Sequence, residues 1–190
     1  HRVLPLSADS NNQLSDAYAM APYIHPYNCH KYFALQKRAL QFAKAKRRQV
    51  VWIRALDTPT TAKDKALSAE ALDRARKLWL KLHDMQTGGI MGLLPLTWGM
   101  PLRFTRTLDK ERQIFTLTRC VLVGWELHDL DKERLAGSTE PELVLRRLPK
   151  RLCVKLQNTN MPQHHGLEPQ VYAVTPLRAI WFRDADKNAK

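Results

Sequence analysis

The sequence contains no long apolar run and few of the residues that form disulfide frameworks. No stretch reaches the roughly 18 consecutive apolar residues of a membrane-spanning helix, and no basic start followed by an apolar run marks a secretory signal. The three cysteines, Cys29, Cys120 and Cys153, cannot all pair with one another, and none belongs to a CxxC arrangement. We therefore expect reduced thiols, mostly packed as small hydrophobic side chains, in an intracellular protein.

The motifs of nucleotide, metal and hydrolytic chemistry are also missing. The sequence has no GxxxxGK(S/T) phosphate loop and no GxGxxG, HExxH or GxSxG motif, and its seven glycines are too scattered to surround a triphosphate. Zinc is the weaker alternative, because neither the group His25, Cys29 and His30 nor the pair His164 and His165 has the spacing of a structural zinc site. Spacing alone therefore identifies no catalytic residue, no cofactor site and no metal site in this chain.

Two pairs of acidic residues, Asp129/Asp131 and Asp184/Asp186, are the remaining candidates for chemistry. Paired carboxylates can act as general acid and general base. Both pairs, however, occur in turn-like surroundings, where acidic side chains are usually solvated. We interpret all four as solvated turn residues.

Positive charge is the most informative feature of the composition. The chain has 31 Lys and Arg against 18 Asp and Glu, which gives a net charge of +13. This excess favours a polyanionic partner, nucleic acid first and an anionic membrane second. A solvated face is the simpler interpretation of any one basic cluster, but four clusters favour a surface that faces phosphates. The clusters are Lys37, Arg38, Lys44, Lys46, Arg47 and Arg48; Lys63, Lys65, Arg74, Arg76, Lys77 and Lys81; Arg103, Arg106, Lys110, Arg112 and Arg119; and Arg146, Arg147, Lys150, Arg151 and Lys155.

Apolar periodicity predicts two helices in the first half of the chain. The first runs from Asn28, a capping residue, to Arg48. The second runs from Ser68, also a cap, to His83. The run VVWI at residues 50–53 between them predicts a short strand.

The second half has a different pattern and predicts mostly antiparallel β-structure. Short segments rich in aliphatic and β-branched residues alternate there with proline, glycine and charged turns. Many short strands with tight turns favour a small barrel over an open sheet, so the expected fold class is α+β. The segments are Leu93–Leu96, Met100–Leu108, Ile114–Gly124, Leu143–Leu145, Leu152–Leu156, Gln170–Val174 and Ala179–Phe182.

One run carries a family resemblance. The sequence GLLPLTWGMPLRFT at Gly92–Thr105, followed by Leu108-Asp109, resembles the C-terminal part of PIF-family helicases, the RecD-related ATP-dependent DNA helicases of superfamily one. Two residues depart from that pattern: Trp98 replaces a small aliphatic residue and Cys120 replaces a glycine. Weaker matches extend the resemblance in order, from Ala21 to Asp184. They are Ala21-Pro22-Tyr23-Ile24, Arg38-Ala39, Phe42-Ala43, Trp52, Trp79 to Asp84, Gly124-Trp125, Leu148-Pro149, Val171 to Val174 and Trp181.

The resemblance implies an architecture for the chain. Residues 1–87 would be the helical and extended part of a second RecA-like region. Residues 88–184 would form a small SH3-like antiparallel β-barrel, and residues 185–190 a truncated tail. In the family, the ATP-binding loop and the Mg²⁺-coordinating acids lie upstream and a further motor motif lies downstream. We therefore expect a fragment or degenerate copy, with ATP and Mg²⁺ bound only by the complete protein.

The resemblance also implies a function. The complete protein would be a 5′-to-3′ DNA helicase in DNA repair, recombination and genome or telomere maintenance, placed in the nucleus, with the mitochondrion as the alternative. This piece would grip single-stranded or forked DNA through basic groups on phosphates and aromatic faces on bases. We interpret Trp52, Phe104, Trp125 and Trp181 mainly as core residues. The candidate contact residues are Trp98, Arg103, Arg106, Lys110, Arg119 and Lys150.

Two other functions remain open from the sequence. The first is a stand-alone, non-enzymatic module that binds nucleic acid, including RNA. The second is a structural or interaction protein whose positive charge serves solubility. The sequence does not fix the oligomeric state or the preferred DNA structure.

Overall fold

The computed structural model describes residues 29–59, 65–82, 84–157 and 166–179. These residues contain three α-helices and seven short strands. None of these helices is long and apolar enough to cross a membrane. The helices are α1, Cys29–Ala45; α2, Ala69–Trp79; and α3, Asp129–Gly137. The strands are β1, Val50–Arg54; β2, Leu93–Leu96; β3, Pro101–Arg103; β4, Arg119–Glu126; β5, Glu142–Val144; β6, Arg151–Leu156; and β7, Val171–Val174.

The strands form two sheets. The smaller has the order β2-β1-β5, with β1 antiparallel to β2 and parallel to β5. The larger has the order β3-β4-β6-β7 and is antiparallel throughout. A β-bulge between Leu122 and Gly124 shifts the register of β4 against β6, which bends the central strand.

One hydrophobic core lies between the two sheets. Val51, Ile53 and Leu96 from the smaller sheet cluster with Leu122 and Val154 from the larger one. Strands on either side of residue 88 therefore share one core. The α+β class is confirmed. The strands in the described residues do not close into a barrel, because β3 and β7 are both edges of the larger sheet.

The predicted helices and their packing faces are present. In α1, Ala39 and Ala43 are buried four residues apart, as the apolar stripe requires. Ser68 caps α2, since its side-chain oxygen accepts a hydrogen bond from the backbone N–H of Ala71 at 3.3 Å. This helix ends at Trp79, earlier than predicted, and Trp79 is its buried residue.

The interpretation of Asp131 as a solvated turn residue is wrong. It lies in the first turn of α3, a helix that the sequence pattern does not predict, and its side chain is 1% exposed. Its carboxylate accepts hydrogen bonds from the backbone N–H groups of Arg146 and Arg147, each at 3.0 Å, and pairs with Arg134 at 3.1 Å. Asp129 is exposed in the same turn of the helix, and the pair Asp184/Asp186 lies outside the described residues.

The segments predicted as strands at 100–108 and 114–124 are shorter than expected. The β3 strand ends at Arg103 and β4 begins at Arg119. The residues between them form turns that are closed by their own hydrogen bonds, for example from the Ile114 N–H to the Asp109 carbonyl at 2.7 Å. The predicted strand at 179–182 lies outside the described residues, apart from Ala179, which is in no strand.

A close approach of two backbones fixes the start of β2. Gly92 is buried, and a Cβ atom added there would lie 2.7 Å from the Cα of Leu80, just after α2. Its carbonyl accepts a hydrogen bond from the Ala55 N–H at 2.8 Å, which continues the β1–β2 pairing. Only glycine allows α2 to end this close to the sheet.

We predict that Gly92→Ala destabilises the fold by about 1–3 kcal/mol, because the added methyl group meets backbone atoms that cannot move aside as a side chain can. The measurement is the free energy of unfolding in urea. The matched control is Gly137→Ala at the end of α3, where an added Cβ would meet nothing within 4 Å. Equal stability of the two variants would contradict the close-packing explanation.

Asp131 also predicts a pH dependence. Burial alone would raise the pKa of its carboxyl group, but the amides of Arg146 and Arg147 and the guanidinium of Arg134 lower it below the usual value. A carboxyl group with a lowered folded-state pKa stabilises the fold above its unfolded pKa, and this contribution is lost as the pH falls through the folded pKa. Stability should therefore decline from about pH 5 downward.

We expect Asp131→Asn to cost about 2–3 kcal/mol at neutral pH, since hydrogen bonds to a charged group are lost, and to flatten the acid part of the stability profile. Urea unfolding between pH 3 and pH 7 measures both effects. Asp129→Asn, which changes an exposed carboxylate in the same turn, is the control. An unchanged acid profile in Asp131→Asn would show that this carboxylate does not carry the dependence.

Candidate nucleic-acid interface

The face of the larger sheet that points away from the core carries most of the candidate residues; we call it the outer face. Directly opposed residues in neighbouring strands share a face. Cys120 lies opposite Leu156 and Leu122 lies opposite Val154, and all four point into the core. Because successive side chains alternate between faces, the pair Arg103 and Arg119 lies on the outer face.

Three exposed cations form a row on this face: Arg103, Arg119 and Lys155. Arg103 on β3 stands directly opposite Arg119 on β4. Lys155 on β6 stands opposite Val121, two residues along β4 from Arg119. Within the described residues, none of the three side chains has a hydrogen bond or ion pair. Like charges placed directly opposite each other in a sheet are destabilising, so the fold does not benefit from this arrangement.

An exposed indole lies on the same face. Trp98 is 47% exposed, in the turn between β2 and β3. Its ring lies next to Gly124 on β4, where an added Cβ would be 3.9 Å from the ring. Trp125 contacts it edge-on, with ring centroids 6.2 Å apart. The indole is therefore held in place while about half of it stays in solvent.

The C-terminal end of α1 holds the turn that carries Trp98. The guanidinium of Arg48 donates a hydrogen bond to the Trp98 carbonyl at 2.6 Å. Gly99 has a φ of 78°, and a Cβ there would lie 2.7 Å from the same guanidinium. Lys44, Lys46 and Arg47, which precede Arg48, are exposed. One end of the first basic cluster thus lies beside Trp98.

The other three predicted contact residues are not on the strands of the outer face. Arg106 and Lys110 are in the β3–β4 loop, and Arg106 donates a hydrogen bond to the Gly88 carbonyl, which holds the loop against the turn after α2. Lys150 lies at the opposite end of β4 from Arg119, because its N–H bonds to the Glu126 carbonyl at 2.8 Å. Seven residues of strand separate those two ends, roughly 23 Å.

The structure therefore places Trp98, Arg103 and Arg119 on one face. It also places there residues that were not among the predicted contacts. Lys155 joins the row and Arg48 fixes the turn. Both belong to clusters visible in the sequence, but the strand register that places Lys155 beside Arg119 is not. Trp181 lies outside the described residues. Trp52, Phe104 and Trp125 are partly buried, and Phe104 and Trp125 pack against the core, as their interpretation required.

Acidic side chains are scarce on the outer face. At its strand positions the only acid is Glu126, which pairs with Arg151 at 3.5 Å. Arg103, Arg119 and Lys155 remain without a counterion among the described residues. The exposed part of the face is its β3 and β4 side, since Val171 and Ala173 on β7 are buried.

Two cysteines lie in the strands of the larger sheet, Cys120 on β4 and Cys153 on β6. Burial raises the pKa of the Cys120 thiol to about 11. Burial is also the main cause of the raised pKa of Cys153, which lies opposite Gly124. Both thiols hold their protons at neutral pH and are poor nucleophiles. Within the described ranges no three His, Cys, Asp or Glu side chains are grouped to hold a metal ion.

The described part of the surface has three features: a fixed, half-exposed indole, a row of cations without counterions among the described residues, and a basic segment at the end of α1 beside the indole. No protein-family model, no curated protein and no solved structure matches this chain.

Proposed function

We propose that this chain binds single-stranded nucleic acid on the outer face. Trp98 would stack on a base, while the row of Arg103, Arg119 and Lys155 and the basic end of α1 would contact phosphates. The observation that carries the proposal is the indole held beside Gly124, on the face that bears three cations without partners among the described residues. Aromatic platforms along a basic groove are the usual means of binding single strands.

Two physical contributions support this assignment. Stacking of a base on an aromatic side chain is worth about 1–3 kcal/mol and tolerates any base, because every base has a π-face. Cations on phosphates release condensed counterions, so the affinity falls as salt rises. The repulsion between Arg103 and Arg119 would be relieved by a phosphate placed between them.

We further propose that the chain is part of an ATP-dependent DNA helicase, as the resemblance to the PIF family implies. The run Gly92–Thr105 that carries the resemblance forms β2, the Trp98 turn and β3, so the resembling segment contributes Trp98 and Arg103 to the proposed contact surface. In this proposal the described sheets belong to the SH3-like barrel and its RecA-like neighbour. The complete enzyme would bind ATP and Mg²⁺, open DNA from 5′ to 3′, and act in repair, recombination and telomere maintenance in the nucleus.

A stand-alone nucleic-acid-binding module is the second candidate. The observation that favours it is the core that strands before and after residue 88 share. A segment with its own core can fold and bind without a motor domain.

Binding to an oligothymidylate of about 16 nucleotides, a length at the upper end of single-domain sites, tests the first proposal. Fluorescence anisotropy across a salt series should give a steep loss of affinity with salt. Arg119→Gln should reduce the slope of log affinity against log salt by about 0.7. Trp98→Ala should weaken binding by roughly 5- to 150-fold, the equivalent of about 1–3 kcal/mol, and leave the slope unchanged.

Lys132→Gln, which removes an exposed cation from α3, is the charge control, and Trp98→Phe should keep most of the affinity. An affinity that is independent of salt, or equal in Trp98→Ala and the wild type, would contradict the proposal. Absence of binding at low salt would favour a structural role for the positive charge. A matched RNA oligomer shows which nucleic acid is preferred.

The helicase assignment predicts a separate result. The purified 190-residue chain, supplied with Mg-ATP and oligothymidylate, should release no phosphate, because its sequence has no GxxxxGK(S/T) loop. Arg119→Gln serves as the preparation control, since a contaminating ATPase would be unaffected by it. If ATP hydrolysis co-purifies with the chain and changes with this substitution, the proposal that this chain lacks the helicase's ATP site is wrong.

A further inference from the structure

Two exposed apolar side chains lie in the turn that runs from Phe115 to Thr118, just before the end of β4 at which Arg119 lies. Phe115 is 47% exposed and Leu117 is 64% exposed. We call this pair the apolar tip. The turn is closed by a hydrogen bond from the Thr118 N–H to the Phe115 carbonyl at 3.1 Å.

Leu117 occupies a conformation that leucine disfavours. Its φ is 69°, at the third position of the turn, where glycine or asparagine is preferred. The turn at Thr97–Met100 shows the usual solution in this same chain, because its third residue is Gly99, with a φ of 78°. At Leu117 the fold therefore accepts both a strained backbone and an exposed apolar side chain.

The tip is rigidly built. The Phe115 N–H donates to the hydroxyl oxygen of Thr118 at 3.1 Å, and the Leu117 N–H donates to the Phe104 carbonyl at 2.7 Å. The Thr116 N–H bonds to the hydroxyl of Thr107 at 3.3 Å. These bonds hold Leu117 in its strained conformation and keep the tip in one position.

The tip continues directly from the row of cations. The Phe104 N–H bonds to the Thr118 carbonyl at 3.2 Å, next to the pair of Arg103 and Arg119. Lys110 and Glu111 are both exposed in the same loop, where Asp109 is neutralised by Arg112 at 2.6 Å. An apolar tip next to the pair of Arg103 and Arg119 is complementary to a strand that carries phosphates and unstacked bases.

We infer that the apolar tip is a second base-binding element, which contacts unstacked bases of the strand that Trp98 binds at the other end of the outer face. The inference rests on the proposed function. From Gly124, beside Trp98, to Arg119 at the start of β4 the strand advances five residues, roughly 17 Å, and Leu117 lies two residues before Arg119 in the turn. That span fits the single-stranded sites of about 4–16 nucleotides that small domains cover. Phe and Leu are side chains that proteins insert between bases.

The test compares stability with binding in the same variants. Leu117→Gly should keep or raise the midpoint of thermal unfolding, because glycine adopts the positive φ without strain, yet lower the affinity for the oligothymidylate of about 16 nucleotides by severalfold. Phe115→Ala should lower that affinity by fivefold or more, the effect of one lost stacking contact. Leu130→Ala removes an equally exposed leucine from α3 and should change neither property.

A second readout locates the contact. Oligonucleotides with one 2-aminopurine at successive positions should show two sites of altered fluorescence, one lost in Trp98→Ala and the other in Phe115→Ala. If the wild type binds but the tip variants bind equally well, the inference fails and the proposed function stands. If the wild type does not bind, both fail. A change from dimer to monomer in Leu117→Gly with unchanged affinity would also overturn the inference, since the tip would then join two copies.

Discussion

The turn at Thr97–Met100 is held from both sides, and the core and the outer face depend on it. On one side, the Gly99 N–H bonds to the Leu122 carbonyl at 2.8 Å and the Leu122 N–H bonds to the Met100 carbonyl at 3.0 Å. On the other side, Arg48 bonds to the Trp98 carbonyl. The chain leaves the smaller sheet and enters the larger one within these four residues. Both sheets can therefore cover one core, while Trp98 stays on the outer face.

The acidic and basic side chains of the described residues differ in how they are paired. Three of the described acids pair locally: Asp73 with Lys77, Asp109 with Arg112 and Asp131 with Arg134, each within four residues. Asp131 also binds two backbone amides, which fixes the connection between β5 and β6. Arg103, Arg119 and Lys155 on the outer face have no such partners among the described residues. The described strand positions of this face carry one acid, Glu126, which pairs with Arg151, so this face has an excess of positive charge.

The sequence predicts those parts of the fold that depend on local periodicity. The apolar stripe of α1, the Ser68 cap of α2 and the short strands are present because each follows from residues close in the chain. The exposure of Trp98 could also be predicted, since Pro95 and Pro101 on either side of it disfavour continuous structure. The β3–β4 loop is not predicted correctly. Its aliphatic residues are typical of a strand, but the backbone hydrogen bonds of this segment are made within its own turns.

The remaining features depend on pairings between distant residues, which no local pattern contains. From the sequence Asp131 resembles an exposed acid. Its burial depends on hydrogen bonds from the backbone amides of Arg146 and Arg147, which follow β5 in the chain. The parallel pairing of β1 with β5 joins residues about 90 positions apart. The opposition of Arg103 and Arg119, and the place of Lys155 beside them, follow from strand register alone. The candidate residues could therefore be named from the sequence, but not their arrangement.

The rigidity of β4 has a consequence for what the outer face can bind. Trp98 lies beside Gly124 near one end of this strand, and the apolar tip lies just beyond its other end. Both turns are tied to the backbone by hydrogen bonds, so their separation is fixed before a ligand arrives, which reduces the ordering that binding must supply. Bases within a duplex are stacked on each other and cannot present their faces to either element. In the proposed function this geometry favours an extended single strand over a duplex, and phosphates between the two ends would cross the row of cations.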